Sequence, residues 1–259
     1  MTEQISEKRC EFVEASDVGC VRELNEDSVH SEDGLWIVAD GMGGHACGEV
    51  ASAMAIEAIS LGFSEQNSLA DVIQTAHQKI VDSGQEDIAR AGMGTTVVAM
   101  TCDQSHYKVA WVGDSRAYLW DKRLSKLTQL SEDHSLMVRL INAGLITKQD
   151  ALTHPQRHMI TQCLGSTEIQ SVTVDQIEGD WDTGQQIILC SDGLTDEVSD
   201  RMISEVMASH MSIKEKTATL INSAKNAGGR DNISLIIVDS PVNKSQSILD
   251  RIKMLFSGR

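Results

Sequence analysis

Five uninterrupted apolar residues, Leu35-Trp36-Ile37-Val38-Ala39, run straight into Asp40-Gly41-Met42-Gly43-Gly44. A strand with no polar position has no face for water and must be covered on both sides. The carboxylate at its end is held rigidly yet stays accessible. The glycines beside it let backbone carbonyls approach a ligand with no Cβ in the way. The pattern then recurs. Val109-Ala110-Trp111-Val112-Gly113 ends at Asp114, Ile187-Ile188-Leu189-Cys190-Ser191 ends at Asp192, and Asp231-Asn232 opens the run from Ile233 to Val238. Glu26-Asp27 lies between two early strand candidates. One Asp-Gly alone is an ordinary turn. Several acidic strand ends gathered at one sheet edge would repel, unless cations neutralise them or some protonate. A multi-cation site of oxygen ligands accounts for the set better than unrelated turns do.

Charge narrows the partners. Lys+Arg total 22 against 38 Asp+Glu, a formal net charge of -16, which argues against nucleic acid held through a general phosphate-contacting surface. A locally positive pocket stays open. The 259 residues, 41% hydrophobic, suffice for a sizeable core in one large domain or two. The opening Met1 to Glu7 is polar and acidic, with no apolar segment of a secretory signal, and no run reaches membrane-spanning length. The cysteines at 10, 20, 47, 102, 163 and 190 are scattered, with no C-x-x-C pair. They read as reduced thiols of a cytoplasmic protein and argue against zinc. None is followed six residues later by arginine, so the loop of cysteine-nucleophile phosphatases is absent.

Along the chain, residues 8 to 40 read as short strands broken by turns, with Arg22 to Asp27 as a polar loop. Glu49 to Phe63 reads as a buried helix. Asn67 or Ser68 caps a second, whose apolar face is Leu69, Val72, Ile73, Ala76 and Ile80, and Gly92 and Gly94 end that segment. Closely spaced strands follow at Thr95–Thr101, Tyr107–Val112, Arg116–Trp120 and Lys126–Leu130, which favours antiparallel pairing. Residues 131 to 168 hold a short helix near Leu136 to Ala143 and three of the eight histidines, and read as a mobile excursion beside the site. Strands resume at Gln170–Ile177 and Gln185–Cys190. Helices follow near Ser199–Ser209 and Ile213–Ala227, the latter closed by Gly228-Gly229, and the last strand is Ile233–Asp239. Residues 241–259 form a linker and a basic amphipathic tail, read as a terminal helix packed on the domain, with a partner or membrane surface as the alternative.

Six motifs occur in order: Arg22-x-x-x-Glu26-Asp27, Asp40-Gly41-Met42-Gly43-Gly44, Gly94-Thr95-Thr96, Val112-Gly113-Asp114-Ser115-Arg116, Ser191-Asp192-Gly193-Leu194-Thr195-Asp196 and Gly228-Gly229-Arg230-Asp231-Asn232. Together they resemble the metal-dependent (type 2C) serine/threonine protein phosphatases in their bacterial form, over roughly residues 10 to 240. The resemblance implies an α+β fold, a four-layer α-β-β-α sandwich of two antiparallel sheets flanked by helices. It implies a catalytic domain over residues 1–240 with a flap at about 131–168. It also implies two Mg²⁺ or Mn²⁺ ions. Asp40 would bridge them, the Gly41 carbonyl would bind one, and Asp192 and Asp231 would bind the other. Glu26 and Asp27 would act directly or through waters, Asp114 would hold a third, weaker ion, and His134 and His154 would belong to the flap.

The chemistry suits these roles. A phosphomonoester dianion resists neutral water, and two cations roughly 3.5–4 Å apart acidify a shared water and orient it for in-line attack. Arg22 would grip the phosphate oxygens with its planar fork; read alone, it is a surface ion pair to Glu23 or Glu26. Animal members carry a histidine as candidate acid where this chain has Met42, which leaves the leaving-group proton to a cation-held water, with His45 a weaker candidate. His158 stands where bacterial relatives usually have asparagine. Arg116 reads as ordering the Asp114 loop rather than touching substrate, Asp196 as capping or bracing the turn after Asp192 or supporting a bound water, and Cys190 as a small core residue, with redox control of it as the alternative. The expected activity is hydrolysis of phosphoserine and phosphothreonine on proteins by a monomer that opposes a cognate bacterial kinase. A non-catalytic phosphoprotein-binding module of the same fold is the alternative, and a two-metal nuclease or diesterase the third reading. The acidic surface and absent aromatic-basic interleaving disfavour that third reading.

Overall fold

The computed structural model describes residues 10–43, 47–64 and 67–242. Strands β1 (Phe12–Asp17), β2 (Asp27–Glu32) and β3 (Leu35–Met42) lead into helices α1 (Gly48–Gly62) and α2 (Leu69–Glu86). Five strands follow: β4 (Gly94–Thr95), β5 (Val97–Asp103), β6 (His106–Val112), β7 (Arg116–Asp121) and β8 (Lys126–Gln129). Short helices α3 (Leu136–Asn142) and α4 (Lys148–Ala151) lie in the excursion, before β9 (Asp175–Asp180) and β10 (Gln185–Cys190). The chain then forms α5 (Asp192–Thr195), α6 (Asp200–Ala208), α7 (Ile213–Ala227) and β11 (Ile233–Asp239).

Two antiparallel sheets result. One has the order β1-β11-β10-β7-β8; the other has β2-β3-β5-β6-β9, with β4 paired to β3. Side-chain alternation explains the unbroken apolar runs. Leu35, Ile37 and Ala39 face the α1–α2 layer, while Trp36 and Val38 face the opposing sheet. On β11, Ile233, Leu235 and Ile237 pack under α5, α6 and α7, and Ile236 and Val238 point inward. Each central strand is thus apolar on both faces, as a four-layer α-β-β-α sandwich requires.

Local signals agree with the elements. Ser68 caps α2, its side chain accepting from the Asp71 amide, and all five expected apolar positions of that helix are buried. Ser199 caps α6 and Ser212 closes a capping box with Glu215 on α7. Gly228 and Gly229 end α7 with φ of 150° and 53°, conformations that a Cβ disfavours.

Three expectations shift. Helix α2 stops at Glu86, where the Asp87 side chain accepts from Ala89 and starts a separate single turn before Gly92. The short helices α4 and α5 carry no helical pattern of their own and escape periodicity. The strand expected at Gln170–Ile177 lies further on, at Asp175–Asp180, paired with β6 from Trp111↔Asp175 to His106↔Asp180. Val172 and Val174 pack into the α1–α2 core from a loop, because the Gln162 side-chain amide bonds both backbone groups of Thr173. The linker and tail beyond residue 242, and His45, lie outside the described residues.

Candidate metal centre and active site

The acidic strand ends meet. Arg22, Glu26, Asp40, Gly41, Met42, Asp114, His158, Asp192 and Asp231 line one cleft of about 330 Å³ at the end of the sandwich. Their positions follow from the register. Asp27 on β2 lies opposite Asp40 on β3, and Asp114 leaves the end of β6. Asp192 begins α5 directly after β10, and Asp231 precedes β11, the strand paired to β10.

Close packing holds each group in place. A Cβ on Gly41 would lie 2.1 Å from the Gly48 carbonyl oxygen and 2.4 Å from that of Glu26, so only glycine brings this carbonyl to the cleft. The Gly48 amide donates to Glu26 Oε1 at 3.2 Å, which sets that carboxylate against the N-terminus of a 15-residue helix. Thr95 Oγ1 and the Thr96 amide both donate to the Asp40 carbonyl, at 2.8 Å each. Gly113 turns at φ 107°, and a Cβ there would meet Thr96 Cβ at 2.6 Å. Ser191 Oγ donates to Asp27 Oδ2 at 2.9 Å from behind.

Crowding dominates the electrostatics. Burial pushes Asp192 up to about 6 and Asp27 to about 7, with neighbouring carboxylates adding to both. Asp114 rises to about 8 through burial and then Asp192. Asp40 lies well above the usual carboxylate range, pushed first by burial and then by Asp27, Asp192 and Asp114. Buried carboxylates that destabilise one another's charge, beside a backbone carbonyl pressed into the same cleft, form a hard-oxygen donor set that fits divalent cations.

Arg22 stands at the rim, half exposed. Its Nη2 donates to Asp231 Oδ2 at 2.8 Å, and Nη1 lies 3.7 Å from Glu26 Oε2. The ion pair suggested by sequence is therefore present, but inside the site. Arg116 does not face the cleft: it forms a bidentate pair with Asp133 at the root of the excursion and donates to the Tyr118 hydroxyl, which in turn donates to Asp200. Cys190 is fully buried under α5 to α7, its thiol pushed up to about 12 by burial.

The expected excursion histidines lie elsewhere. His134 is turned away from the cleft: its Nδ1 accepts from the Gly113 amide at 3.1 Å, its Nε2 faces Asp175, and its ring stacks on Trp111. His154 accepts from the Gln156 amide within its own turn. His158 is the excursion histidine that lines the cleft, beside Ile160, with Nδ1 3.0 Å from Asp196 Oδ2. Sequence reasoning gave Asn232 no role. Its buried side chain donates to the Val18 and Leu24 carbonyls and accepts from the Glu26 amide, tying the Arg22 loop to β11. An asparagine in line with the acidic motif was the available signal.

Among the described residues no helix is long and apolar enough to cross a membrane. Residues 6–137 match the protein phosphatase 2C family. A serine/threonine phosphatase, stp, of Listeria monocytogenes is 38% identical over 239 residues, covering 86% of this chain and 93% of that protein. The crystal structure of the Mycobacterium tuberculosis serine/threonine phosphatase PstP/Ppp superposes with a TM-score of 0.82 at 34% identity, covering 89% of this chain and 98% of the other. The catalytic domain of the serine/threonine protein phosphatase PstP in complex with two manganese ions gives a TM-score of 0.78 at 32% identity, with 89% and 98% coverage. The acidic cleft, the four-layer sandwich and these likenesses coincide, and the chain belongs to the protein phosphatase 2C family of metal-dependent serine/threonine phosphatases.

Proposed function

We propose that residues 1–240 form a catalytic unit that hydrolyses phosphoserine and phosphothreonine on proteins by direct attack of water on phosphorus, reversing a cognate bacterial kinase in the cytoplasm. The observation that carries this is the meeting of Glu26, Asp40, Gly41, Asp114, Asp192 and Asp231 in one cleft with a guanidinium at its rim. Asp40, Asp192, Asp231 and the Gly41 carbonyl would hold two Mg²⁺ or Mn²⁺ ions, with Glu26 and Asp27 beside them and Asp114 at a third position. Such ions supply charge to offset the phosphate dianion and make water acidic enough to be a nucleophile near neutral pH.

The chain's own residues bind and orient. Arg22 can exchange its carboxylate partners for the non-bridging phosphate oxygens, because its contacts are exposed and its fork is planar. Asn232 fixes the loop that carries it. Asp196 orients His158 on the opposite wall, where residues 131–168 would meet the polypeptide around the phosphorylated residue. Met42 has no proton to give, and among the described lining residues the hydroxyl of Thr96 is engaged by the Asp40 amide and the Ser115 hydroxyl, which favours a direct displacement over a phosphoenzyme.

The test is phosphate release from a phosphothreonine peptide with Mn²⁺, abolished by EDTA and restored by metal. Binding of the peptide without release would instead identify a non-catalytic phosphoprotein-binding module. Equal rates on a phosphodiester would point to a diesterase.

A further inference from the structure

Cys10 and Cys102 meet at the end of the inter-sheet core remote from the acidic cleft. Cys10 lies two residues before the first sheet's edge strand β1, and Cys102 lies near the end of β5 in the second sheet, whose other end adjoins Thr96 and Asp40. The two sulfurs are 3.7 Å apart, with the Cys10 S–H donating to Cys102 Sγ. The Trp181 indole N–H donates to the same sulfur at 3.2 Å, and Trp181 is itself held edge-on by Tyr107. Cys10 is only 7% exposed, whereas Cys102 is partly open to solvent.

We propose that this pair is a redox modification site: a peroxide oxidises Cys102, and Cys10 resolves it into a reversible disulfide that staples the two sheets together.

The geometry assigns the roles. Cys102 receives two donors on one sulfur, an arrangement that favours its thiolate, and it is the member a small oxidant can reach. Those donors hold the Cys102 thiol below its ordinary range, against burial and the charges of Asp103 and Asp33, while Cys10 is pushed up by its bond to Cys102 and by burial. The Cys102 thiolate attacks the peroxide, forming an S–O bond as the O–O bond breaks, and hydroxide leaves to become water. Cys10 then attacks the Cys102 sulfenic acid: an S–S bond forms, the S–O bond breaks, and the oxygen leaves as a second water with the Cys10 proton. Two thiols lose two electrons, which the peroxide gains. The sulfurs need only close from 3.7 Å to about 2.05 Å. Cys163 and Cys190 are pushed up to about 11 and 12 by burial, which disfavours their thiolates. The crosslink spans 92 residues of sequence and would restrict the unfolded chain strongly. The cysteine pair takes no part in the hydrolytic chemistry.

The experiment treats the full chain with stoichiometric hydrogen peroxide, then alkylates and analyses it by mass spectrometry and thermal melting. Expected are a loss of two hydrogens, a Cys10–Cys102 crosslinked peptide removed by dithiothreitol, and a melting temperature raised by roughly 5–10 °C. In Cys10→Ser, Cys102 should instead accumulate as sulfenic acid trapped by dimedone; in Cys102→Ser, Cys10 should stay alkylatable. Full alkylation of both cysteines after peroxide, or equal dimedone trapping of Cys102 in wild type and Cys10→Ser, overturns the proposal.

Discussion

Asp27 and Asp40 face one another in register across the β2–β3 pair, and the Ser191 hydroxyl holds Asp27 from behind at 2.9 Å. Both carboxylates stay above the usual range because each is buried near other acids. Ser191 also accepts from the Ser234 amide, so one hydroxyl links β2, β10 and β11 beneath the cleft. Ser191→Ala should lower Mn²⁺ affinity about 10–100-fold, as for other groups that orient a ligand, with kcat at saturating metal largely kept. Calorimetric titration checks this; an unchanged affinity would show that Asp27 needs no support.

Asp192→Asn removes a central negative charge while keeping size and hydrogen-bonding capacity. Turnover of a phosphothreonine peptide with Mn²⁺ should fall by at least about 10²–10³-fold, the scale of losing one major electrostatic group. The circular dichroism spectrum should be unchanged. Retained turnover would count heavily against the proposed site.

Acidity should stabilise the metal-free protein. Asp192, Asp27 and Asp114 titrate near 6, 7 and 8 when folded, against an ordinary 3.8. Each binds its proton more tightly in the folded state, so the stability it contributes is complete below about pH 4 and is lost as pH rises through 6 to 8. In EDTA the protein should therefore melt higher at pH 6 than at pH 8, and Asp114→Asn should flatten that slope. Mn²⁺ binds only the folded chain and should raise the melting temperature most at pH 8. A melting temperature in EDTA that climbs from pH 6 to pH 8 would contradict this.

Asn232→Ala deletes three partly buried hydrogen bonds and leaves the Val18 and Leu24 carbonyls and the Glu26 amide without that partner. A loss of about 2–4 kcal/mol in urea unfolding is expected. KM for a phosphopeptide should rise more than kcat falls, since the loop that carries Arg22 is loosened.

Much of this architecture is legible in the residues, for a physical reason. Strands covered on both faces carry few polar side chains, and those paired, as Ser234 is with Ser16, so Leu35–Ala39, Ile187–Cys190 and Ile233–Val238 announce themselves, and the acids at their ends stand out. Edge structure is less legible. β9, with Asp175, Glu178 and Asp180 and largely exposed, shows no apolar alternation, while Val172 and Val174 imitate a strand although the backbone of Thr173 between them is bonded by the Gln162 side chain. The histidines illustrate the same limit: composition cannot tell that His134 turns inward onto Trp111 whereas His158 turns to the cleft. Asn232 acts through backbone groups of a loop distant in sequence, a relationship no local pattern encodes.

The excursion is closed at its neck. Leu136 donates to the Met159 carbonyl, Thr161 to that of His134, and Arg116 clamps Asp133 at the same root. Residues 137 to 157 consequently form a segment tied at both ends, whose exchange need not re-register either sheet. On the proposed reading, docking preference for different phosphorylated targets would diversify there, while His158 and the carboxylates of the cleft stay constant.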